Sequence, residues 1–232
     1  MTAATSQDAR PRLRADARRN RDRVVAAARE MMVEHGAEVS LDEVARRAGV
    51  GNATLYRNFA DRADLVHHVT LSVLSRVADQ AERSRTGESD PFRALSAFAH
   101  AAADERVGAL CLLLNEAVDR DHPDLAEARV RMEAAVDGLM SDARASGQLR
   151  PDVERGDLTV ALTQLTRPLP GCGGCPAGSS PGTDDDRSAG QEPTGFDRYT
   201  HRHLDIFLDG LRAPGSTELP GHAATLEALR RS

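Results

Sequence analysis

The segment Val39-Ser-Leu-Asp-Glu-Val44 limits what this chain can fold into more than any other stretch. Ser40 is of the type that caps a helix N-terminus, and Glu43, three positions on, is spaced to reach back to the Ser40 backbone N–H. Val39 and Val44 hold the two positions of a hydrophobic staple. Two start signals agree, so the spacing predicts a short helix over 41–48. Gly49 stops it. Val50 follows the turn, and Asn52-Ala-Thr-Leu-Tyr-Arg-Asn58 reads as a third helix, equally short. A chain that starts, stops and restarts helix so quickly, behind a longer helix, has the pattern of a helix-turn-helix.

The rest of the chain also reads as helix. Upstream, Val24, Ala28, Met31 and His35 recur at i, i+4, i+7 and i+11, with Val25 and Met32 beside them. They predict a first helix over about 18–35, closed by Gly36. Asp61, with Asp64 three residues on and Leu65 next, starts a fourth helix that runs to about Ser84. Asp90-Pro91 sets an N-cap before a proline at the first helical position of a fifth. Val107, Leu110, Cys111, Leu114, Ala117 and Val118 give a sixth, and apolar spacing extends a seventh over about 123–146 and an eighth over about 154–167. A ninth, about 194–211, carries Phe196, Tyr199, His203, Phe207 and Leu211 on one stripe, widened by Leu204 and Leu208. With abundant Ala and Leu, a single Ile and no Trp, helix is favoured over strand. No hairpin dipeptide lies between alternating β-branched runs. The expected fold is all-α, with about nine helices.

Four parts follow: a disordered basic arm at 1–17, a helix-turn-helix domain at 18–77 with its motif at about 41–59, a larger helical body at 78–213, and a tail at 214–232. Within the body, residues 168–193 are rich in Gly and Pro, carry the acidic triplet Asp184–Asp186, and read as a disordered loop. The tail has room for one short turn near Ala224–Arg230.

Charge is divided along the chain. The net charge of −6 conceals a surplus of three positive charges in residues 1–62, where 12 Arg face 9 acids. Ala9–Arg23 alone holds 7 Arg and 2 Asp. A basic end on an acidic body points to one end meeting a polyanion. No apolar run is long enough to span a membrane, and the Arg-rich N-terminus has no apolar segment of a secretory signal. Three cysteines are too few for a disulfide framework. The expected compartment is a reducing cytoplasm.

The helix-turn-helix suits DNA, with the 41–48 helix crossing the backbone and the next entering the major groove. Asn52, Thr54, Tyr56, Arg57 and Asn58 supply groups that bond phosphates or base edges. Val44, Ala45, Ala48, Val50, Leu55 and Phe59 supply the small core that fixes the interhelical angle. The basic stretch Ala9–Arg23, with Arg18, Arg19 and Arg21, is placed to follow a neighbouring groove.

Leu41-Asp-Glu-Val-Ala-Arg-Arg-Ala-Gly-Val50, then Thr54-Leu-Tyr56, Phe59 and Asp61-Arg-Ala-Asp-Leu65, resemble the N-terminal domain of the TetR family of bacterial repressors. The resemblance covers about 60 residues. It implies an all-α homodimer whose C-terminal body binds a small molecule and dimerises through its last two helices. The ending Phe196-Asp-Arg-Tyr to Leu211-Arg212 is similar to the final helix of one actinobacterial-type branch. The resemblance also implies DNA contacts at Ser40, Thr54, Tyr56 and Arg62, and Gly51, Asn52, Ala53, Arg57 and Asn58 of the same helix and turn are candidates beside them. Arg62 stands where the family usually has Lys, Asn58 where it often has His, and Gly51 where many members have Ser.

Other chemistry is sparse. Cys172-Gly-Gly-Cys175 is a lone C-x-x-C in a Gly/Pro-rich loop, and Cys111 lies in an apolar stripe. His67-His68 and the His201/His203 pair have no carboxylates or cysteines at ligand spacing and read as surface or core histidines. There is no P-loop, dinucleotide glycine pattern or nucleophile elbow, so no enzyme activity, metal or cofactor is expected. The sequence thus points to a DNA-binding transcriptional regulator, a repressor released from a palindromic operator by a small-molecule effector. The body positions Leu110, Leu114, Met132, Val136 and Leu162 are candidates for the effector pocket. The alternatives are a thiol- or metal-sensing regulator using Cys172 and Cys175 and, more remotely, a small thiol oxidoreductase.

Overall fold

A computed structural model describes residues 9–36, 38–107, 110, 122–166, 195–214, 217 and 219–225. Eight helices are described: α1 (Ala9–His35), α2 (Leu41–Ala48), α3 (Asn52–Asn58), α4 (Arg62–Gly87), α5 (Pro91–Asp104), α6 (Pro123–Ala145), α7 (Arg155–Leu165) and α8 (Gly195–Gly210). Among the described residues no strand forms, and a single β-bridge joins Leu149 to Arg212. The helix expected over about 107–118 falls outside the described residues at all but Val107 and Leu110. The loop 168–193, with Cys172 and Cys175, lies outside them as well, as does most of the turn expected near 224–230.

The first helix begins earlier than its apolar pattern. Residues 9–17, expected to be disordered, are helical. Ala, Arg and Leu dominate this stretch, and all have high helix propensity. Pro11 sits in the first turn, where its missing N–H has no helical acceptor to lose.

Two compact units separate, one within 1–83 and 109–138, the other within 84–108 and 139–232. In the first, α1, α2 and α3 pack on one another. Val24, Ala28, Met32, Val44, Ala45, Leu55 and Phe59 are buried at their junction. His35, expected on the buried stripe, is exposed. Helix α4 starts as its sequence predicts: Asp61 accepts from the Asp64 N–H at 2.8 Å, and Asp64 in return accepts from the Ala60 N–H at 2.9 Å.

In the second unit, α5, α7 and α8 pack together. Phe92, Leu95, Phe98, Leu158, Leu204 and Leu208 are buried in this unit. The apolar stripe of α8 divides differently from its sequence reading. Leu204, Leu208 and Leu211 are buried and Phe207 is half-buried, while Tyr199 (60%) and Ile206 (59%) are exposed. Position along a helix gives the two flanks of a wide stripe but not which one faces inward. Arg150 ties the end of this helix to the tail. Its guanidinium grips Asp152 at 2.6 and 2.8 Å and donates to the Thr217 carbonyl at 2.8 Å. Gly156 at the start of α7 is equally constrained: a Cβ there would lie 1.8 Å from the Ala224 carbonyl oxygen.

Helix α5 begins as its sequence predicts, with Asp90 as N-cap and Pro91 at the first position. Asp90 accepts from the Arg93 N–H at 2.8 Å and from Gln148 Nε2 at 2.9 Å. The bond from the Arg93 backbone, then that from Gln148, holds the Asp90 carboxyl below the usual carboxylate range. A carboxyl depressed in the folded state contributes stability above its unfolded pKa, and that contribution is lost as pH falls through the folded value. Asn caps nearly as well as Asp but does not titrate. Asp90→Asn should therefore melt near the parent at pH 7 and show a shallower loss of melting temperature below about pH 4. Identical acid slopes for the two proteins would remove Asp90 from the acid-sensitive groups.

Candidate nucleic-acid interface

The site is built on the turn between α2 and α3. Gly49 takes left-handed backbone angles (φ 63°, ψ 37°), and its N–H bonds back to α2. The Val50 N–H donates to the Ala45 carbonyl at 3.0 Å, completing the turn. From α1, Arg23 Nη2 donates to the Ala48 carbonyl at 2.5 Å and to that of Gly49 at 3.4 Å. A cation on the carbonyls that end a helix satisfies acceptors left without helical partners. A Cβ at Gly49 would stand 2.8 Å from this guanidinium. Arg23, one charge among many in the arm when read from sequence, is therefore a structural clamp.

The start of α2 departs from expectation. Ser40 is extended (φ −75°, ψ 135°), as an N-cap should be, yet its side chain makes no capping bond. Its carbonyl accepts the Val44 N–H at 3.0 Å. Val39 and Val44 are both buried, so the apolar half of the start signal is in place and the Ser40–Glu43 capping box is not. Ser40 is exposed at the end of α2.

Helix α3 is seated by Leu55 and Phe59, both wholly buried, and Phe59 closes it with an N–H bond to the Leu55 carbonyl at 2.9 Å. The opposite side faces solvent. Tyr56 is 51% exposed, Gly51, Asn52, Ala53 and Arg57 are exposed, and Thr54 and Asn58 are half-buried. Several of these groups are held in place. Asn52 Nδ2 donates to Asp42 of α2 at 2.8 Å. Arg57 folds back on its own helix, donating to the Ala53 carbonyl at 3.0 Å and to Thr54 Oγ1 at 3.2 Å. Asn58 Nδ2 donates to the Thr54 carbonyl at 2.7 Å.

Arg62, the first residue of α4, pairs with Glu38 at 2.8 Å. That hydrogen bond, then the charge of Arg62, lowers the Glu38 carboxyl pKa. The arginines of α1 divide by role. Arg18 is exposed, and Arg19 pairs with Asp16 on its own helix. Arg21 is half-buried, lies 5.4 Å from the Phe59 ring centre and bonds His68 Nε2. It braces the end of α3 more than it reaches outward. Arg47, on α2, grips Glu34 of α1 with bonds of 3.0 and 2.8 Å and fixes the angle between those helices.

The remaining sequence candidates do not gather at this site. Leu110, Met132 and Val136 belong to the first compact unit and Leu162 to the second; Leu110, Val136 and Leu162 are buried and Met132 half-buried. Leu114 and Cys111 lie outside the described residues. His67, read as solitary, meets His122 and Asp124 from the start of α6. His201 meets His100 of α5, with Nδ1 atoms 2.7 Å apart. Partners so far along the chain leave no spacing signal.

Residues 24–69 match the sequence family described as "Bacterial regulatory proteins, tetR family". An HTH-type transcriptional regulator of Staphylococcus aureus strain USA300 is 40% identical over 58 residues, which is 25% of this chain and 31% of that protein. The chain thus spans about a third of the length of the curated relatives it matches. Two solved structures extend the likeness into the body. A TetR transcriptional regulator from Streptomyces coelicolor is 28% identical, with 84% of this chain and 99% of that one covered at a TM-score of 0.58. A TetR transcription regulatory protein from Mycobacterium vanbaalenii is 27% identical, with 87% and 99% covered at a TM-score of 0.56.

The Gly49 turn gives a direct check. Alanine there adopts a left-handed backbone and displaces Arg23, so Gly49→Ala should cost about 1–2 kcal/mol. Thermal melting reads this as a lowered midpoint. An unchanged midpoint would show that the Arg23 clamp adds nothing to the turn.

Proposed function

The chain belongs to the TetR family of bacterial regulators, and from that premise we propose that it is a homodimeric, sequence-specific DNA-binding repressor, released from its operator by a small-molecule effector. One observation carries this reading. A seven-residue helix, α3, is anchored by the fully buried Leu55 and by Phe59 at its end, and turns Tyr56 and Arg57 outward with Thr54 half-buried beside them. A short helix fixed from behind and polar in front is what major-groove readout requires. Ser40, Thr54, Tyr56 and Arg62 are its phosphate and base-edge contacts, with Arg18 and Arg19 reaching the flanking backbone. Two copies present their α3 helices to half-sites roughly 34–36 Å apart. The protein works in the bacterial cytoplasm, at the nucleoid.

Dimerisation belongs to the outward flank of α7 and α8. Val160 is 38% exposed, and Tyr199 and Ile206 lie seven residues apart on one side of α8. Two such helices from each copy make a four-helix seam. Ile206→Asp should convert the dimer to folded monomers by sizing, since Ile206 takes no part in the core of its own unit. A dimer that persists after this change places the interface elsewhere.

The DNA contacts are tested by salt dependence. Each phosphate neutralised contributes about −0.9 to the slope of log K against log salt. Arg62→Ala should weaken binding to operator and unrelated duplex alike and flatten the slope by about one. Glu38→Gln removes the carboxylate that competes with phosphate for Arg62. It should raise affinity roughly two- to fivefold, the range set by a typical surface ion pair. Slopes and affinities that match the parent in both variants would take Arg62 off the contact surface.

A further inference from the structure

We propose that His67, His122 and Asp124 form a binding site for a divalent transition-metal ion of the Zn2+ type, and that its occupancy alters DNA affinity. The second half rests on the DNA-binding reading; the first does not.

The three side chains come from two elements of one compact unit, the second turn of α4 and the start of α6. One ligand atom from each lies within 4.8 Å of the others. His67 Nε2 is 3.0 Å from Asp124 Oδ2, and His122 Nδ1 bonds the other carboxylate oxygen. The two imidazole rings meet edge to face with centres 4.4 Å apart. In a tetrahedral site with bonds of about 2.0–2.2 Å, ligand atoms lie roughly 3.3–3.6 Å apart. The spacings here lie close to that range.

The donor set suits the ion. Imidazole nitrogen favours zinc and its transition-metal neighbours over Mg2+ or Ca2+. Two histidines and one carboxylate leave a fourth position for water or a further ligand. Burial is graded in the same sense, with the His67 side chain 16% exposed and those of Asp124 and His122 about half exposed. An ion therefore has access from solvent and an anchored inner ligand. Without metal, the Asp124 carboxylate accepts a hydrogen bond from each ring. On binding, each imidazole turns a lone pair to the ion, and its proton moves to the other ring nitrogen or to solvent.

The path toward α3 is short. His68 follows His67, and their rings lie 5.4 Å apart. His68 packs edge-on against Phe59 at 5.6 Å, and Phe59 closes α3. An ion that fixes His67 against α6 acts on the helix turn that supports the recognition helix.

The full chain, with Cys172→Ser and Cys175→Ser to remove competing thiols, is titrated with Zn2+ against a chromophoric chelator. The expected result is one tight site per chain and a melting temperature raised by the metal. The exposed ligand change His122→Gln leaves the fold intact and should weaken that site by about 10–100-fold or more. Asp124→Asn should do the same. No tight site, or tight binding that survives both changes, overturns the metal site. In a gel shift with operator DNA, Zn2+ should change the parent's affinity about fivefold or more, and that of His122→Gln not at all. Zinc binding without any change in DNA affinity overturns the coupling and leaves the site. Tight zinc binding in a protein that never shifts DNA places the failure in the DNA-binding reading.

Discussion

The site depends on how α3 is held from behind. Leu55 and Phe59 are wholly buried, and each side chain of this size contributes about 1.5–3 kcal/mol on leaving water. A seven-residue helix has little stability of its own. Its geometry is therefore borrowed from α1 and α2. Arg23 on the α2 carbonyls, Arg47 on Glu34 and Arg21 over Phe59 brace the same arrangement from three sides. Much of the positive charge at this end of the chain is spent on architecture, and fewer arginines remain to face a polyanion than their count suggests.

This division bears on recognition. Asn52 and Arg57 are tied to neighbours, so their positions are set before any ligand arrives. Preset donors lose little side-chain freedom on binding, and that loss is among the costs of association. Arg62 differs, since its guanidinium is matched to a carboxylate, and under the proposed reading a phosphate would have to displace Glu38. The pair fixes one end of the Arg62 guanidinium on Glu38.

Legibility in the sequence followed the range of the interactions. Helices α2 and α3 were readable to the residue because glycines and a valine staple act within a few positions. The Ser40 bond was readable in kind but not in fact, since exposed Ser40 has water as an alternative partner. The early start of α1 was hidden because Ala and Arg build helix by propensity and leave no apolar period. The inward flank of α8 was undecided because Phe207 and Leu211 share their stripe with Tyr199. The His67–His122–Asp124 group was invisible: His67 lies more than fifty residues from the other two and meets them only through tertiary packing. Resemblance supplied what local physics could not, an expectation of the partner that α3 would meet.

The central claim is that the exposed face of α3 reads DNA sequence. Selection of bound duplexes from a random-sequence pool tests it most directly. The parent should enrich a palindrome whose half-sites lie about one helical turn apart, and Thr54→Ala with Tyr56→Ala should lose that enrichment while keeping the parent's melting temperature. A pool left unenriched by the parent, or the same palindrome recovered by the double variant, would contradict the account.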